Sequence, residues 1–203
     1  MRISKEHAIY EMSKENKAVA RCQSGDTVIF ETCDCFHDTV KSETDVVSSV
    51  DFDRVNPATG PLYIEDAEVG DLLKVDILSI KLDVQGAVVA APGLGRLANL
   101  IEKEQTVIGK ISGDTIKALN REIPVNKMIG VIGTTPKDEA VSTGTPHDHG
   151  GNMDCIEIRE GISLYLPVNA EGALLAMGDL HACMGDGEVM GSGLEIAGEV
   201  EVR

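Results

Sequence analysis

The segment LLKVDILSIKLD (72–83) shows the period-two alternation of apolar residues that is typical of a half-buried β-strand. Leu73, Val75 and Ile77 are spaced two apart, whereas Ile80 follows after three residues. Every second residue of a strand faces the same side, so this change in spacing predicts an irregularity near Ser79.

Similar short apolar runs occur along the whole chain. DTVIFETCDCF (26–36) alternates before it turns polar, and TVIGKISGDTIKAL (106–119) predicts a hairpin, since Gly and Asp at 113–114 tolerate turn angles. The other predicted strands are IYEM (9–12), AVARC (18–22), GAVVAAPG (86–93), IGVIGTTP (129–136), CIEIREG (155–161), ISLYLPV (162–168), GALLAMGDLHACM (172–184) and EVMGSGLEIAGEVEVR (188–203).

Helix signals are few. SSVDFDRVN (48–56) begins with a Ser that could cap a short helix, and GRLANLIEKEQ (95–105) carries Leu97, Leu100 and Ile101 at helical spacing. Many short strands with so few helices predict a mainly β protein, a jelly-roll-like β-sandwich or barrel with few short helices. We expect residues 1–203 to form one domain.

Composition narrows the functional class. The formal net charge is −16, which argues against nucleic acid or an anionic membrane as a partner, because phosphate binding needs clustered Lys and Arg. The N-terminus lacks the pattern of a secretory signal, and the chain has no apolar run of about 18 residues. The five cysteines lack metal-finger spacing, so we expect reduced thiols in a cytoplasmic protein.

Two segments concentrate polar groups that bind metals or transfer protons, HDHGGNMD (147–154) and GDLHACMGDGE (178–188). Residues two apart on a strand share a face, so four pairs are predicted to direct two donors to one point. These pairs are His147 with His149, Asn152 with Asp154, Asp179 with His181, and Asp186 with Glu188. Imidazoles and carboxylates without thiolates suit zinc or a harder divalent cation, which would assist hydrolysis.

Other interpretations of these residues differ in strength. His147, next to Asp148, is expected to be solvated, and Asp179 and Asp186 could equally cap turns. Nucleophilic catalysis by Cys155 or Cys183 is less favoured, because neither has a basic neighbour in sequence to lower its pKa.

The chain resembles the acetamidase/formamidase family. The resemblance spans nearly the whole chain through VIFETCDC (28–35), VNPATGPLYIEDAEVGDLLKV (55–75), APGLG (91–95), IGVIGTTP (129–136), TGTPHDHGGNMD (143–154), LYLPV (164–168) and GALLAMGDLHACMGDGEV (172–189). It implies hydrolysis of formamide or acetamide to the acid and ammonia, a jelly-roll-like scaffold, a divalent metal (zinc or calcium), and a homodimer or larger homo-oligomer. It also implies a smaller α+β portion beyond Arg203, and it places the family's polar positions at Asp34, His149, Asn152, Asp154, Asp179, His181, Asp186 and Glu188.

These observations give a specific hypothesis for the site. Asp34, His149 and His181 hold a divalent ion, and Glu188 or Asp154 acts as the base. Asn152 donates a hydrogen bond to the developing oxyanion. The alternative is a non-catalytic, metal-stabilised β module that binds small amides or carboxylates.

Overall fold

The computed structural model describes residues 1–203 and contains only β-strands and three 3₁₀-helices as regular elements. The 3₁₀-helices span Val47–Ser49, Phe52–Arg54 and Ala98–Leu100. The strands are β1 (Arg2–Ile3), β2 (Ala8–Ile9), β3 (Glu11–Met12), β4 (Ala20–Cys22), β5 (Val28–Thr32), β6 (Ala58–Ile64), β7 (Leu72–Leu82), β8 (Gln85–Ala90), β9 (Gln105–Ser112), β10 (Thr115–Ala118), β11 (Arg121–Pro124), β12 (Met128–Gly133), β13 (Val141–Ser142), β14 (Gly150–Asn152), β15 (Ser163–Pro167), β16 (Leu175–His181), β17 (Glu195–Ile196) and β18 (Gly198–Val202).

Strand β7 lies inside a five-stranded sheet with the order β1-β5-β18-β7-β15. Val75, Ile77 and Ile80 are buried on its inner face. The register against β18 shifts so that residues 201 and 202 oppose residues 79 and 77, which leaves Leu78 as the extra residue of a bulge. The predicted irregularity near Ser79 is therefore confirmed, and the bulge returns Ile80 to the core.

Two side chains hold the backbone at this bulge. The Ile80 N–H donates to Glu160, and Lys127 donates to the Ile80 carbonyl at 2.6 Å. Lys127 and Glu160 also form an ion pair at 2.7 Å. Both backbone groups of Ile80 thus have partners, which a half-buried strand requires.

The second sheet has eleven strands, with the path β11-β10-β9-β8-β17-β16-β12-β14 and with β6 joining β16 to β2 and β4. The hairpin predicted near Gly113 is confirmed by the pairing of Ser112 with Thr115. The C-terminal run divides at Ala197, because β17 pairs in this sheet and β18 in the five-stranded one. Strands β13 and β3 form a separate two-stranded sheet.

The main hydrophobic core unites the inner faces of the two large sheets. Phe30 and Val200 come from the five-stranded sheet, and Leu62 and Leu180 come from the eleven-stranded sheet. The sheets do not close into a barrel, so of the two predicted architectures the structure is a sandwich. The mainly β prediction with few short helices is confirmed.

Two local predictions were wrong. Residues 95–105 form only one 3₁₀ turn, because Leu97 and Leu100 are exposed and the segment has no apolar face to bury. Residues 155–161 form turns rather than a strand. Ile158 donates its N–H to the Cys155 carbonyl, so this backbone bonds locally while connecting β14 to β15.

No helix of the structure has the length and apolar character needed to span a membrane.

Candidate active site

Strand β16 turns two polar side chains away from the sandwich core. Leu175 and Met177 pack in the core, and so does Leu180. Strict alternation would place residues 175, 177, 179 and 181 on one face. Asp179 has a φ of 56°, and this left-handed residue reverses the alternation, so that Asp179 and His181 share the opposite face.

His181 lies at the centre of a carboxylate cluster. Its side chain is 1% exposed. Four carboxylate oxygens lie within 4.0 Å of Nε2, at 3.0 Å from Glu195, 3.6 Å from Asp179, 3.9 Å from Asp154 and 4.0 Å from Glu188. This group of five side chains is called the His181 cluster below.

Strand register places Glu195 in this cluster. β17 pairs with β16 so that Glu195 lies directly opposite His181. The other Glu195 oxygen accepts the Gly193 N–H at 2.7 Å, which fixes the carboxylate. A Cβ on Gly193 would lie 2.7 Å from His181 Nδ1, so a glycine is required beneath the imidazole ring.

Asn56 and Cys35 support Asp179 from the neighbouring loops. The Asn56 side-chain amide donates to Asp179 Oδ2 at 3.1 Å. The side-chain oxygen of Asn56 accepts a hydrogen bond from the Cys35 thiol at 3.5 Å. The backbone N–H of Asn56 donates to the backbone carbonyl of Cys35 at 2.9 Å. Asn56 therefore links the turn after β5 to the His181 cluster by hydrogen bonds to both.

Gly130 forms the floor beneath two of the carboxylates. It lies in β12 between the pairs Ile129–Leu180 and Val131–Gly178, so its partner in register is Asp179. A Cβ on Gly130 would lie 2.6 Å from Asp179 Oδ2 and 2.7 Å from Asp154 Oδ1. Only glycine leaves room for both oxygens at this position.

The cluster strongly perturbs its ionisable groups. Burial, reinforced by the charges of Asp179 and Glu188, raises the pKa of Asp154 to about 7. Burial also raises the pKa of Glu188 and, to a greater extent, that of Glu195. Burial opposes the charged form of His181, but the carboxylates of Glu195 and Asp179 outweigh it, so its pKa is raised well above the usual range.

The charge balance of the cluster fits a cation. Ionised carboxylates would outnumber the single imidazolium by three, an excess that is very costly when buried. Five potential metal-ligand atoms are also buried without a well-aligned hydrogen bond, although His181 Nε2 and Glu195 Oε2 lie 3.0 Å apart: Asp154 Oδ1, Asp179 Oδ1, Glu195 Oε2 and both nitrogens of His181. A divalent cation would supply the missing charge and could bind some of these atoms.

Two sets of donors lie close enough together to hold an ion. Asp154, His181 and Glu188 form one set, with ligand atoms within 4.8 Å of one another. Cys35, Asp179 and Glu195 form the other set by the same measure. Oxygen donors with one nitrogen or sulfur suit zinc, and an oxygen-dominated site suits calcium.

Backbone strain is concentrated at this site. Asn56, Asp154, Asp179 and Glu188 all adopt left-handed conformations, with φ between 41° and 56°. Such conformations are uncommon outside glycine and are retained where surrounding contacts enforce them. The fold therefore holds these polar side chains in fixed directions.

The structure brings together three residues of the predicted site, namely Asp154, His181 and Glu188. Asn152 lies next to Asp154, and a hydrogen bond from its side chain opposes the rise in the pKa of that carboxyl. The Asn152 side-chain oxygen is itself buried without a partner. The predicted oxyanion role of Asn152 stays a prediction.

Asp34 and His149 belong to neither set of donors. One Asp34 oxygen accepts the N–H groups of Phe36 and Asp38, which closes the turn after β5, and burial raises the pKa of Asp34 to about 6. His149 is fully buried with both ring nitrogens unpartnered, and burial lowers its pKa. A single ion shared by Asp34, His149 and His181 stays a prediction that this geometry does not support.

The remaining sequence candidates lie outside the cluster. The His147 side chain is 61% exposed, as expected, and Asp186 is exposed in the loop after β16. All five cysteines are free thiols. Cys155 is exposed, and burial raises the pKa of Cys183, which disfavours its thiolate.

Sequence reasoning missed Glu195, Asn56 and the position of Cys35. Glu195 lies between Leu194 and Ile196, where a carboxylate in an apolar strand signals a functional role. That signal was obscured because Glu199 and Glu201 follow with ordinary strand spacing. Asn56, within VNPATG, carried no signal beyond that of a turn residue.

The fold and the His181 cluster define a β-sandwich protein with a buried acidic centre. The model of the acetamidase/formamidase family matches residues 13–143 and 137–203, so nearly the whole chain is covered. The chain belongs to the acetamidase/formamidase family.

Known structures show the same fold. The crystal structure of an acetamidase from Bacillus halodurans is 52% identical, with a TM-score of 0.98, and the match covers 100% of this chain and 69% of that one. A predicted acetamidase/formamidase from the thermophile Thermoanaerobacter tengcongensis is 46% identical, with a TM-score of 0.96, and the match covers 100% of this chain and 67% of that one.

A curated relative is more distant. The formamidase of Methylophilus methylotrophus is 25% identical over 217 residues, which cover 77% of this chain and 53% of the relative. The chain thus spans about half the length of that protein. The α+β portion expected beyond Arg203 stays a prediction.

Proposed function

We propose that this protein hydrolyses short aliphatic amides, such as formamide and acetamide, to the carboxylic acid and ammonia with the help of a divalent metal ion. Support comes from membership of the acetamidase/formamidase family and from relatives named formamidase and acetamidase. The observation that carries the proposal is the His181 cluster, in which four carboxylates surround one buried imidazole.

The residues that would hold the ion are Asp154, His181 and Glu188, with Asp179 and Glu195 beside them. A bound divalent cation supplies Lewis-acid polarisation of the amide carbonyl and lowers the pKa of water. The unpartnered donor atoms of the cluster support this assignment, and zinc and calcium are the two ions that we propose.

The proton transfers are assigned to Asp154 or Glu188. Water adds to the amide carbon, and the base accepts the proton that the water releases. The C–N bond then breaks as that proton passes to nitrogen, so the products are the carboxylic acid and ammonia. Asp154 and Glu188 are the two carboxylates of the set that contains His181, so the one that does not bind the ion is free to act as the base.

Cys35 is the cysteine nearest to this chemistry, but it is a poor nucleophile. Burial, together with the charges of Glu195 and Asp179, raises its pKa well above the usual value. The thiol therefore stays protonated at neutral pH. This favours hydrolysis by water over a thiol route.

Ammonia release from formamide and acetamide tests the proposal. Dialysis against a chelator should abolish turnover and lower the melting temperature, and added zinc or calcium should restore both. His181→Gln should eliminate turnover and the metal-dependent rise in melting temperature. His147→Gln is the matched control, because His147 is exposed, and it should preserve both.

The outcomes separate the competing functions. Unchanged turnover in metal-free protein would remove the ion from the mechanism. A melting temperature that rises with metal, without turnover of any short amide, would instead favour the non-catalytic module that binds amides or carboxylates.

Two further expectations stay predictions of the proposed function. These are a cytoplasmic location and assembly into a homodimer or larger homo-oligomer. Light scattering coupled to size-exclusion chromatography would determine the assembly directly.

A further inference from the structure

An apolar pocket adjoins the His181 cluster. It has a volume of about 430 Å³ and lies between the loop after β16 and the β8–β11 side of the eleven-stranded sheet. Its apolar walls come from Val88, Ile123, Met184, Val189, Met190 and Leu194.

The pocket and the cluster share two residues. Glu188 lines the pocket, and its carboxylate also lies 4.0 Å from His181 Nε2. Gly193 lines the pocket as well, and it lies directly against the His181 ring on the side of the unpartnered Nδ1. Glu188 thus connects the carboxylates of the cluster to an apolar space, so a molecule held at Glu188 has that space beside it.

Formamide and acetamide are too small to use this space. At about 30 Å³ for each heavy atom, a chain of four to six carbons occupies about 120–180 Å³, which the pocket can contain. Two of the walls are methionines, whose flexible side chains adapt to ligands of different shape.

Charge determines which end groups the pocket accepts. Asp186 and Glu188 line it, and the chain carries a net charge of −16. A neutral amide can approach these acids, whereas a carboxylate is repelled. The same field favours departure of the carboxylate product.

We propose that this pocket binds the aliphatic acyl chain of the substrate, so that the preferred substrates are amides of straight-chain acids with about four to six carbons. This inference rests on the proposed amide hydrolysis and specifies its substrate class. The carbonyl end lies at the His181 cluster, and the chain extends past Glu188 between Met184 and Met190.

The first experiment compares acetamide, butyramide and hexanamide as substrates of the 203-residue chain. Each added methylene should raise kcat/KM about two- to fourfold, because an apolar wall replaces its water contact. Values of kcat/KM that stay flat or fall from acetamide to hexanamide would overturn the proposal.

The second experiment needs no turnover. Protein labelled with ¹³C at the methionine methyl groups is titrated with hexanamide and followed by NMR. The Met184 and Met190 signals should shift, whereas the signal of Met12, which is buried in a separate cluster, should not. If no amide is hydrolysed but these two signals shift, the proposed hydrolysis is refuted, whereas binding of the aliphatic chain in the pocket is supported. Unshifted signals at saturating hexanamide overturn the pocket.

A pair of variants completes the test. Ile123→Asp places a charge in the apolar wall and should reduce the ratio of kcat/KM for hexanamide over acetamide at least fivefold, with a matching loss of the methyl shifts. Leu78→Asp is the control. Ile123 is 39% exposed and Leu78 42% exposed, and both lie on strands, but Leu78 is on the bulge of β7 outside the pocket. Equal effects of the two substitutions would contradict the assignment.

Discussion

Gly130→Ala is the substitution that tests the geometry of the His181 cluster most directly, because it removes no polar group. The new methyl carbon would lie 2.6 Å from Asp179 Oδ2, 2.7 Å from Asp154 Oδ1 and 2.8 Å from the Asp179 carbonyl oxygen. A relaxed carbon–oxygen contact is about 3.3 Å, so each of these oxygens must retreat by about 0.5–0.7 Å.

The size of this displacement sets the expected losses of stability and of activity in Gly130→Ala protein. The neighbours on this side are a strand backbone and two buried carboxylates, so overpacking should cost about 1–3 kcal/mol of unfolding free energy. A misplacement of 1 Å costs about 100-fold in rate, and a shift of somewhat more than half that size predicts a fall in kcat/KM of about 10- to 100-fold. Metal affinity should fall as well, since both displaced groups are donors.

Two measurements check the prediction. Ammonia release from acetamide gives kcat/KM, and the rise in melting temperature with added metal reports the site without any need for turnover. Gly144→Ala is the matched control, because Gly144 is exposed and the nearest atom to its new methyl would be 3.7 Å away, an ordinary contact. If folded Gly130→Ala protein matched the control in both measurements, our description of the cluster as close-packed around a glycine floor would be wrong.

The remaining predictions concern residues around the cluster and the β7 bulge. Asn56→Ala should lower kcat/KM about 10-fold or more and also lower the melting temperature, because Asp179 loses the donor that orients it and alanine is strained at the left-handed backbone of position 56; an unchanged rate would contradict this role. The pKa of Asp34 is raised to about 6 by burial, so its contribution to stability is full below about pH 4 and is lost as the pH rises through 6. Asp34→Asn should therefore raise the unfolding free energy at pH 7.5 by up to about 3 kcal/mol and change it little at pH 4, as measured by urea unfolding at both pH values. Lys127→Met should lower the unfolding free energy by about 1–2 kcal/mol, because the Ile80 carbonyl loses its partner, and a urea midpoint equal to that of the unaltered protein would refute this.

Much of the scaffold could be predicted from local patterns. The spacing of Val75, Ile77 and Ile80 predicted both a strand and its bulge, and the turn residues near Gly113 predicted a hairpin. These predictions succeed because strand alternation and turn conformation depend on residues that are near one another in sequence. Residues 95–105 show the limit, since helical spacing forms no helix without a surface to cover.

The composition of the site was predicted only in part. Asp179 and His181 were expected to share a face, and their side chains do approach to 3.6 Å. The left-handed conformation of Asp179, which the sequence pattern did not reveal, decides that this shared face points away from the core. Asp34 shows the opposite case, because the carboxylate turns to its own backbone while the next residue, Cys35, faces the cluster.

By itself, the sequence determined most of the strands, the buried face of β7, the family and the exposure of His147. Only the tertiary structure decided that Glu195 meets His181 and that Gly130 lies beneath Asp154 and Asp179. The physical reason is that alternation along a strand fixes which face a side chain takes, whereas its neighbours across the sheet depend on strand order and register. Those are set by the packing of the whole core and by backbone hydrogen bonds between distant segments.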